Sequence, residues 1–130
     1  MKIILSVKPE YAFKILDTTK KYEFRRKIFK RNIKIVYVYA SYPIKKVVGC
    51  FKVGKIINGT PNYIWGMCNN KAGIKKEDYF KYFKGSEKAF AIEIKEIKKF
   101  NREYKLKDNF KPPQSFRYLQ NLKIILDKDK

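Results

Sequence analysis

The sequence predicts a protein of the α+β class that is mainly β: a small, curled, mostly antiparallel sheet or barrel of about five strands with short helices between them. Segments rich in β-branched and aromatic residues recur between clusters of turn residues, whereas helical spacing is confined to short stretches. The chain has 130 residues, 45% of them hydrophobic, which suits one domain with one core. No linker, repeat or low-complexity segment divides it, so we expect a single domain over residues 1–130.

The first elements are predicted to be a strand, a helix and a second strand. Residues 3–7 are apolar, as in a short buried strand. Pro9 suits a first helical turn, and the apolar residues after it recur at helical spacing, which predicts a helix over residues 9–17. A turn at residues 18–20 leads to a strand over residues 22–27.

The middle of the chain is predicted to form two further strands. Residues 33–40 are rich in β-branched and aromatic side chains, which is typical of a central strand. A turn at residues 41–43 separates them from a strand over residues 46–57. Gly49 and Gly54 within that strand indicate bulges or close approaches of the backbone.

A loop, a helix and a long strand follow. Residues 58–73 contain several Gly, Asn and Pro residues and are predicted to be a loop, which carries Trp65, the only Trp. Aromatic residues at helical spacing predict a helix over residues 75–84, and Gly85 would end it. Residues 90–100 alternate apolar and polar side chains, as in a half-buried strand.

The C-terminal part is predicted to begin with a break and to continue as a short helix. Pro112 and Pro113 interrupt any regular element. Residues 115–122 are predicted to be helical, with Ser115 as the N-cap.

The charge is large and unevenly distributed. The formal net charge is +20. Residues 18–76 hold fifteen Lys and Arg and one acid, whereas residues 77–130 hold fourteen and nine. A positive field concentrated in one half fits a polyanionic partner. Lys outnumbers Arg by twenty-seven to five, as AT-rich codon usage also produces, so codon bias is an alternative source of the total charge.

Glu23 is the single acid of the basic half. Strand alternation puts it on the same side as Arg25, and Lys20 lies in the turn just before. Together the three could hold a nucleotide, with the cations toward phosphate and the carboxylate toward a base edge. The alternative is a surface ion pair on a solvated strand, worth about 0–1 kcal/mol.

An enzyme would have to rely on Lys20 and Glu23. The sequence has no His, which excludes Ser-His and Cys-His nucleophiles, and no glycine-rich phosphate loop. No pair of acids in the basic half suits two-metal phosphoryl transfer. The neighbouring cations Lys21, Arg25 and Arg26 could lower the pKa of Lys20, so that it acts as a base or nucleophile.

Further candidate ligand contacts lie outside this strand. Trp65, in a predicted loop, could stack on a base, whereas Tyr37 and Tyr39 fit core packing better. Ser41, at a strand end, could offer its hydroxyl or amide group to a ligand, or could simply begin a turn. Gln114 could hydrogen-bond a base edge, although composition alone does not indicate this.

Cysteine usage and the N-terminus point to a soluble cytoplasmic protein. The chain has only two cysteines, Cys50 and Cys68, and no His, which excludes a Cys/His zinc site. We therefore expect reduced thiols, no metal and no cofactor. The apolar run at the start is too short for a signal peptide or a membrane span, so no membrane partner is expected. The sequence leaves the oligomeric state open.

Four segments carry a resemblance to the ASCH domain, a member of the PUA-like superfamily. The family's helix, turn and G-x-K-x-x-E-x-R strand resemble the opening segment, ILSVKPEYAFKILDTTKKYEFRR. Its next two strands resemble VYVYASYPIKKVVGCFKVGKI, and its helix and following strand resemble GIKKEDYFKYFKGSEKAFAIEIKEI. The terminus of a prokaryotic subgroup is similar to PPQSFRYL.

The resemblance implies a PUA-like fold, a small β-barrel flanked by helices, with a cleft for RNA or a nucleotide. Members of the family have been proposed as RNA-binding regulators. One branch removes the acetyl group from N4-acetylcytidine, and another has been linked to ribonuclease activity. By motif position, Lys20, Glu23 and Arg25 correspond to the polar cluster in the family's cleft.

The chain departs from the family pattern at two places. Thr18 stands where the motif usually has Gly, which implies an altered turn. The amidohydrolase branch has Thr at the position of Glu23 and a Glu before the middle helix, where residues 69–74 here hold no acid. This second departure argues against deacetylation and favours binding.

We therefore predict an RNA- or nucleotide-binding domain, a regulator with a basic cleft. The predicted ligand contacts are Lys20, Lys21, Glu23, Arg25, Arg26, Ser41, Trp65 and Gln114. One alternative is an N4-acetylcytidine-type hydrolase or a ribonuclease that uses Lys20 and Glu23. Another is a protein-interaction module.

Overall fold

The computed structural model describes residues 1–127, which form seven strands and three α-helices. The strands are β1 (Lys2–Val7), β2 (Tyr22–Arg25), β3 (Ile35–Ala40), β4 (Lys46–Gly59), β5 (Ala89–Leu106), β6 (Phe116–Leu119) and β7 (Leu126–Asp127). The helices are α1 (Pro9–Leu16), α2 (Pro61–Cys68) and α3 (Lys76–Tyr82). Short 3₁₀ turns cover Asn69–Lys71 and Leu122–Ile124.

The strands form one mixed sheet that curls into a half-barrel. Its order is β2-β5-β4-β3-β1-β6, and β7 pairs with β5. β1 and β3 run parallel, with Lys2 opposite Ile35, whereas the other pairs are antiparallel. The predicted α+β small barrel is thus confirmed, with more strands than expected and one parallel pair. The residues between β1 and β3, which include α1 and β2, form the crossover that a parallel pair requires.

The core has three clusters of buried side chains. One lies between α1 and the sheet, where Ile15 packs with Leu5 and Phe51. Another joins α2 and α3 to the sheet around Tyr79, and the last lies near the C-terminal strands. Phe24 of β2, the strand on which Glu23 lies, belongs to the cluster of α2 and α3.

The predicted loop at residues 58–73 is wrong for its central part, which is the helix α2. Thr60 caps this helix by accepting a hydrogen bond from the Tyr63 amide at 3.1 Å, and Pro61 occupies its first turn. A Thr followed by Pro is a helix-start signal. The loop was predicted because this segment is rich in Gly and Asn, which are common in turns.

The predicted helix at residues 115–122 is also wrong, because its first half is the strand β6. This strand pairs antiparallel with β1, and Leu5 lies opposite Phe116. Ser115 is not a helix N-cap, since its carbonyl oxygen accepts the Ser6 amide at 2.8 Å. β1 needs a second neighbour for its backbone groups, and this tertiary requirement overrides local preference.

The two glycines of β4 confirm the prediction of close approaches. A Cβ at Gly49 would lie 2.5 Å from the Lys98 carbonyl oxygen, and one at Gly54 would collide with the Glu93 carboxylate. The pairing register of β4 with β5 shifts near both positions. A side chain at Gly49 would require movement of the β5 backbone, whereas one at Gly54 would require movement of the Glu93 and Lys95 side chains.

None of the helices in residues 1–127 has both the length and the apolar character that a membrane-spanning helix needs.

Candidate functional site

A cavity of about 830 Å³ opens where α1, β2, α3 and the turn after β3 meet. Its volume falls within the range of roughly 300–1,000 Å³ that is usual for ligand sites. The basic residues of its lining are Lys8, Lys20, Arg25, Lys45 and Lys81, and the acidic ones are Glu10, Glu23 and Asp78. The lining thus combines an excess of cations with carboxylates in one concave surface.

Lys20 lines this cavity and is only 2% exposed. Its ammonium group donates a hydrogen bond to the Ala72 carbonyl oxygen at 2.8 Å. The same nitrogen lies 4.8 Å from the ring centre of Phe24 and 5.3 Å from that of Tyr11. A carbonyl and two π-faces therefore surround the charge, and such contacts only partly replace water.

Burial lowers the pKa of Lys20 to about 8. The Glu23 carboxylate acts in the opposite direction, whereas Lys14 and Arg25 lower the pKa of Lys20 further. Desolvation is the largest cause, because removing an ammonium group from water disfavours its charged form. Near neutral pH Lys20 remains mostly protonated, yet it releases its proton far more readily than an exposed Lys.

The turn that delivers Lys20 contains a strained residue. Thr18 has φ of 71°, in the left-handed region that favours glycine. The side chain of Asp17 secures the turn by accepting the amide of Thr19 at 2.9 Å and its hydroxyl at 2.7 Å. The amide of Lys20 then donates to the Lys14 carbonyl oxygen at 3.0 Å. The chain therefore keeps the conformation of a glycine turn with Thr in the glycine position.

Glu23 and Arg25 form an ion pair inside the site, in which two guanidinium nitrogens share one carboxylate oxygen. The Arg25 Nη2 and Nε atoms lie 2.8 Å and 2.9 Å from the Glu23 Oε2 atom. Arg25 also donates to the Ser6 carbonyl oxygen at 2.7 Å and to the Ser115 hydroxyl at 3.4 Å. Glu23 is 5% exposed, so the alternative of a solvated surface ion pair is wrong.

This pairing makes Arg25 a positioning group rather than a free cation. Its guanidinium nitrogens are engaged by Glu23, Ser6 and Ser115. Within residues 1–127 the hydrogen bond and the ion pair of Glu23 involve Oε2 alone, so its Oε1 atom stays open as an acceptor. The arrangement presents one carboxylate oxygen and one ammonium group from the same strand and turn.

Two of the remaining predicted residues also line the cavity. Ser41 donates its amide to the Val7 carbonyl oxygen at 2.9 Å, and this bond fixes the start of the turn after β3. Gln114 lies on the segment before β6. Its neighbour Pro113 accepts the Ser6 hydroxyl at 2.6 Å, which holds that segment against β1.

The other three predicted residues do not belong to the lining formed by the described residues. Lys21 is exposed, and Arg26 is exposed with its guanidinium 4.9 Å from the ring centre of Tyr82. Trp65 is half-buried in α2 and packs on Tyr79, with ring centres 4.7 Å apart. Trp65 thus does not border this cavity, and its ring packs against the core of the α2 and α3 layer.

Sequence interpretation missed several residues of the lining. Tyr39 is 4% exposed, in line with the core packing that the sequence favoured, and it also borders the cavity. Tyr42 and Lys45 follow it in the turn before β4, and Lys45 adopts φ of 56°. Position next to Ser41 was the only signal for them. Lys81 comes from α3, and nothing in the sequence linked this helix to β2.

The part of the chain that the structure describes contains no group of three or more Cys, Asp and Glu side chains placed to hold a metal ion.

The chain is similar to proteins from two bacteria. An ASCH domain-containing ribonuclease of Zymomonas mobilis is 32% identical over 123 residues, which cover 90% of this chain and 83% of that protein. The crystal structure of ASCH from Zymomonas mobilis matches with a TM-score of 0.85 at 31% identity, covering 92% of this chain and 87% of that one. The large ribosomal subunit protein uL22 of Ureaplasma parvum is 31% identical over 121 residues, but these cover only 39% of its length.

A family model agrees with the resemblance seen in the sequence. The model of the ASCH domain matches residues 5–100, which include α1, β2 and the turn after β3. The matched range therefore contains Lys20, Glu23 and Arg25 and most of the cavity lining. With this match and the agreement with solved ASCH structures, the chain belongs to the ASCH domain family.

Proposed function

We propose that the cavity binds a nucleotide unit of an RNA chain, with Lys20 as its central cation. The observation that carries this proposal is the environment of the Lys20 ammonium, buried against two rings and one carbonyl oxygen. Within residues 1–127 this group forms no ion pair. A buried ammonium without a paired anion destabilises the fold, and an anionic group entering the cavity would offset that cost.

The charge distribution and one relative support RNA as the ligand. Residues 18–76, which supply β2 and the turn before β4, hold fifteen Lys and Arg residues and a single acid, so little negative charge opposes their positive field. Such a field raises the association rate with a polyanion and gains affinity from released counterions. The Zymomonas mobilis relative is described as a ribonuclease, a protein that acts on RNA.

The three predicted residues take different parts in this proposal. Lys20 contacts a phosphate or a carbonyl edge of the base, and the open oxygen of Glu23 accepts a hydrogen bond from a base. Arg25 holds Glu23 in place through its two contacts with the Glu23 Oε2 atom. Arg25 therefore acts through Glu23 and not as the main phosphate contact.

A binding experiment with a matched control tests the proposal. Lys20→Met and Lys99→Met each replace a charged side chain by an uncharged one of similar length. Lys99 is exposed on β5, outside the cavity. We expect Lys20→Met to weaken binding of a labelled single-stranded RNA oligonucleotide about tenfold or more, as for loss of a charged hydrogen bond. Lys99→Met should change affinity by less than about threefold. Fluorescence anisotropy at fixed salt measures both.

Two results would contradict this proposal. Equal losses in both variants would mean diffuse electrostatic binding without a site. Indifference of the wild-type protein to RNA would favour the protein-interaction alternative.

RNA cleavage is a second candidate function, and two observations favour it. One is the relative described as a ribonuclease. The other is Lys20, whose pKa of about 8 suits a general base that takes a proton from a ribose hydroxyl. The pH dependence separates the two functions, because binding needs the ammonium form and base catalysis needs the amine form.

A gel assay of labelled RNA tests cleavage. If Lys20 is the base, the rate should rise with pH up to about 8 and then level, and Lys20→Met should abolish turnover. Lys99→Met should cleave at the wild-type rate. Intact RNA after prolonged incubation with the wild-type protein would contradict cleavage. Binding, and with it a regulatory role, would then be the remaining function.

Deacetylation of N4-acetylcytidine has less support than either function. The segment before α3 that carries an acid in that branch reads NNKAGI here. Its Ala72 carbonyl oxygen instead accepts the hydrogen bond of Lys20.

A further inference from the structure

Tyr42 is an unusually exposed aromatic residue at the edge of the cavity. It lies in the turn between β3 and β4, lines the cavity, and is 79% exposed. Within residues 1–127 its ring pairs with no other ring and no cation. Single exposed apolar residues are common, but this ring borders a cavity that already contains a buried ammonium group.

Tyr82 is a second partly exposed ring of the same lining, supplied by a different element. It ends α3, is 36% exposed, and lies against Phe83 with ring centres 4.8 Å apart. The Arg26 guanidinium lies 4.9 Å from the centre of its ring. Arg26, predicted as a ligand contact, is thus linked to the cavity through Tyr82.

We propose that Tyr42 and Tyr82 stack on unpaired bases next to the nucleotide in the cavity, so that the ligand is single-stranded RNA. This inference rests on the proposed function, because it needs RNA in the cavity. Every base has a π-face, so stacking on tyrosine adds affinity with little dependence on sequence. Base faces are hidden within an A-form duplex, which therefore cannot use these two rings.

The expected contribution is large enough to measure. Stacking of one base on one aromatic side chain corresponds to roughly 5- to 150-fold in affinity. Arg26 adds a cation near the Tyr82 ring and can contact the adjacent phosphate while it holds the ring. Tyr42 should give the clearer effect, because its removal disturbs no described ring contact.

The main test compares Tyr42→Ala with Tyr63→Ala. Tyr63 is also an exposed tyrosine, at 53%, but it lies on α2, outside the cavity lining formed by the described residues. With a labelled single-stranded RNA oligonucleotide, Tyr42→Ala should weaken binding by about fivefold or more, and Tyr63→Ala by less than about twofold. Tyr42→Phe keeps the ring and should bind as the wild type does.

A second probe separates stacking from charge. An oligonucleotide of the same length with abasic sugars keeps every phosphate and removes every base. Tyr42→Ala should leave the affinity for this probe unchanged, and Lys20→Met should still weaken it. A duplex of the same sequence should compete poorly against the single strand.

The outcomes distinguish this inference from the proposed function. If Lys20→Met weakens binding while Tyr42→Ala matches Tyr63→Ala, the stacking inference is overturned and the nucleotide site stands. Equal loss by Tyr42→Ala on the base-containing and abasic probes would also overturn it. If the wild-type protein binds no RNA, both proposals fall.

Discussion

At the scale of single residues, Lys20 has the most consequential environment in the molecule. It combines 2% exposure with a hydrogen bond to one carbonyl oxygen and contacts to two rings. Its charge is therefore a cost to the fold and an advantage for binding an anion. Residues that destabilise a protein while serving a site are a common compromise between stability and function.

The stability of the protein should depend on the protonation of Lys20. Its pKa is about 8 in the folded chain and about 10.5 in the unfolded chain, so between these values the unfolded state binds more protons and stability rises with pH. Relative to Lys20→Met, the wild-type free energy of unfolding should increase by about 2 kcal/mol between about pH 7 and 9.5. Urea titrations of both proteins measure this difference.

The comparison with Lys20→Met also controls for other groups that titrate in this range. Burial raises the pKa of Cys68 to about 11, so stability is lost as pH rises above the ordinary thiol value of 9.0. That effect is shared by both proteins and cancels in their difference. A difference that stays flat with pH would mean that Lys20 titrates like an exposed residue.

Thr18 provides a prediction about strain in the turn before Lys20. A β-branched residue at φ of 71° is strained by about 1–2 kcal/mol, and glycine would relieve this at an entropic cost of about 0.4–1 kcal/mol. Thr18→Gly should therefore raise the free energy of unfolding by up to about 1 kcal/mol. Thermal or urea unfolding measures it.

Thr19→Gly is the matched control for Thr18→Gly. It removes the hydroxyl bond to Asp17 without relieving a left-handed residue, and so it should destabilise. Stabilisation by both variants would contradict the strain argument.

At the scale of elements, the helix α2 decides which aromatic residues are available to a ligand. α2 turns Trp65 toward Tyr79 and Phe80 and makes its ring part of the core. The short turn after β3 does the opposite with Tyr42, which it leaves exposed at the cavity. Aromatic residues of similar chemistry are thus packed in the core or left exposed at the cavity according to the element that carries them.

Trp65→Ala should therefore affect mainly stability, and Tyr42→Ala should affect mainly RNA affinity. Trp65→Ala should lower the free energy of unfolding by about 2–3 kcal/mol, since a half-buried ring is lost, and should leave RNA affinity within about twofold. Tyr42→Ala should lower RNA affinity with little change in stability. Unfolding curves and anisotropy titrations on both variants measure the four values.

A loss of RNA affinity by Trp65→Ala without a loss of stability would contradict this assignment. In that case Trp65 would be a ligand contact, as the sequence predicted.

At the scale of the whole molecule, the fold concentrates charge that the sequence distributes along the chain. The residue before α1, the turn before β4, and α3 each add one cation to the cavity of Lys20: Lys8, Lys45 and Lys81. These residues are far apart in sequence, and the curvature of the sheet brings their elements together. A shared concave surface raises the local potential above that of a uniformly basic protein.

The salt dependence of RNA binding should report this concentration. A variant with Lys8, Lys45 and Lys81 changed to Gln removes three charges at the cavity. Its slope of log affinity against log salt should fall by roughly 2 compared with the wild type, as expected for three fewer phosphate contacts on a single strand. Titrations at several salt concentrations measure the slope.

A second variant tests whether position or total charge matters. Lys98, Lys99 and Lys105 lie exposed on β5, and changing them to Gln removes the same number of charges. This variant should keep most of the wild-type slope. The same reduction in both variants would mean that net charge alone determines RNA binding.

The sequence by itself determined the strong periodic elements and the local group of site residues. α1 and the strands β1 to β5 were predicted because alternation and helical spacing reflect burial directly. Lys20, Glu23 and Arg25 were predicted together because an adjoining turn and alternate positions on one strand are local properties.

Only the tertiary structure decided how those local pieces combine. β6 forms because β1 needs a partner on its open side, which no local preference encodes. Tyr42, Lys45 and Lys81 join the site because β3 and α3 pack near β2, at long sequence separation. The burial that shifts the pKa of Lys20 likewise comes from Tyr11, Phe24 and the Ala72 carbonyl, so the chemistry of the site depends on packing that composition cannot reveal.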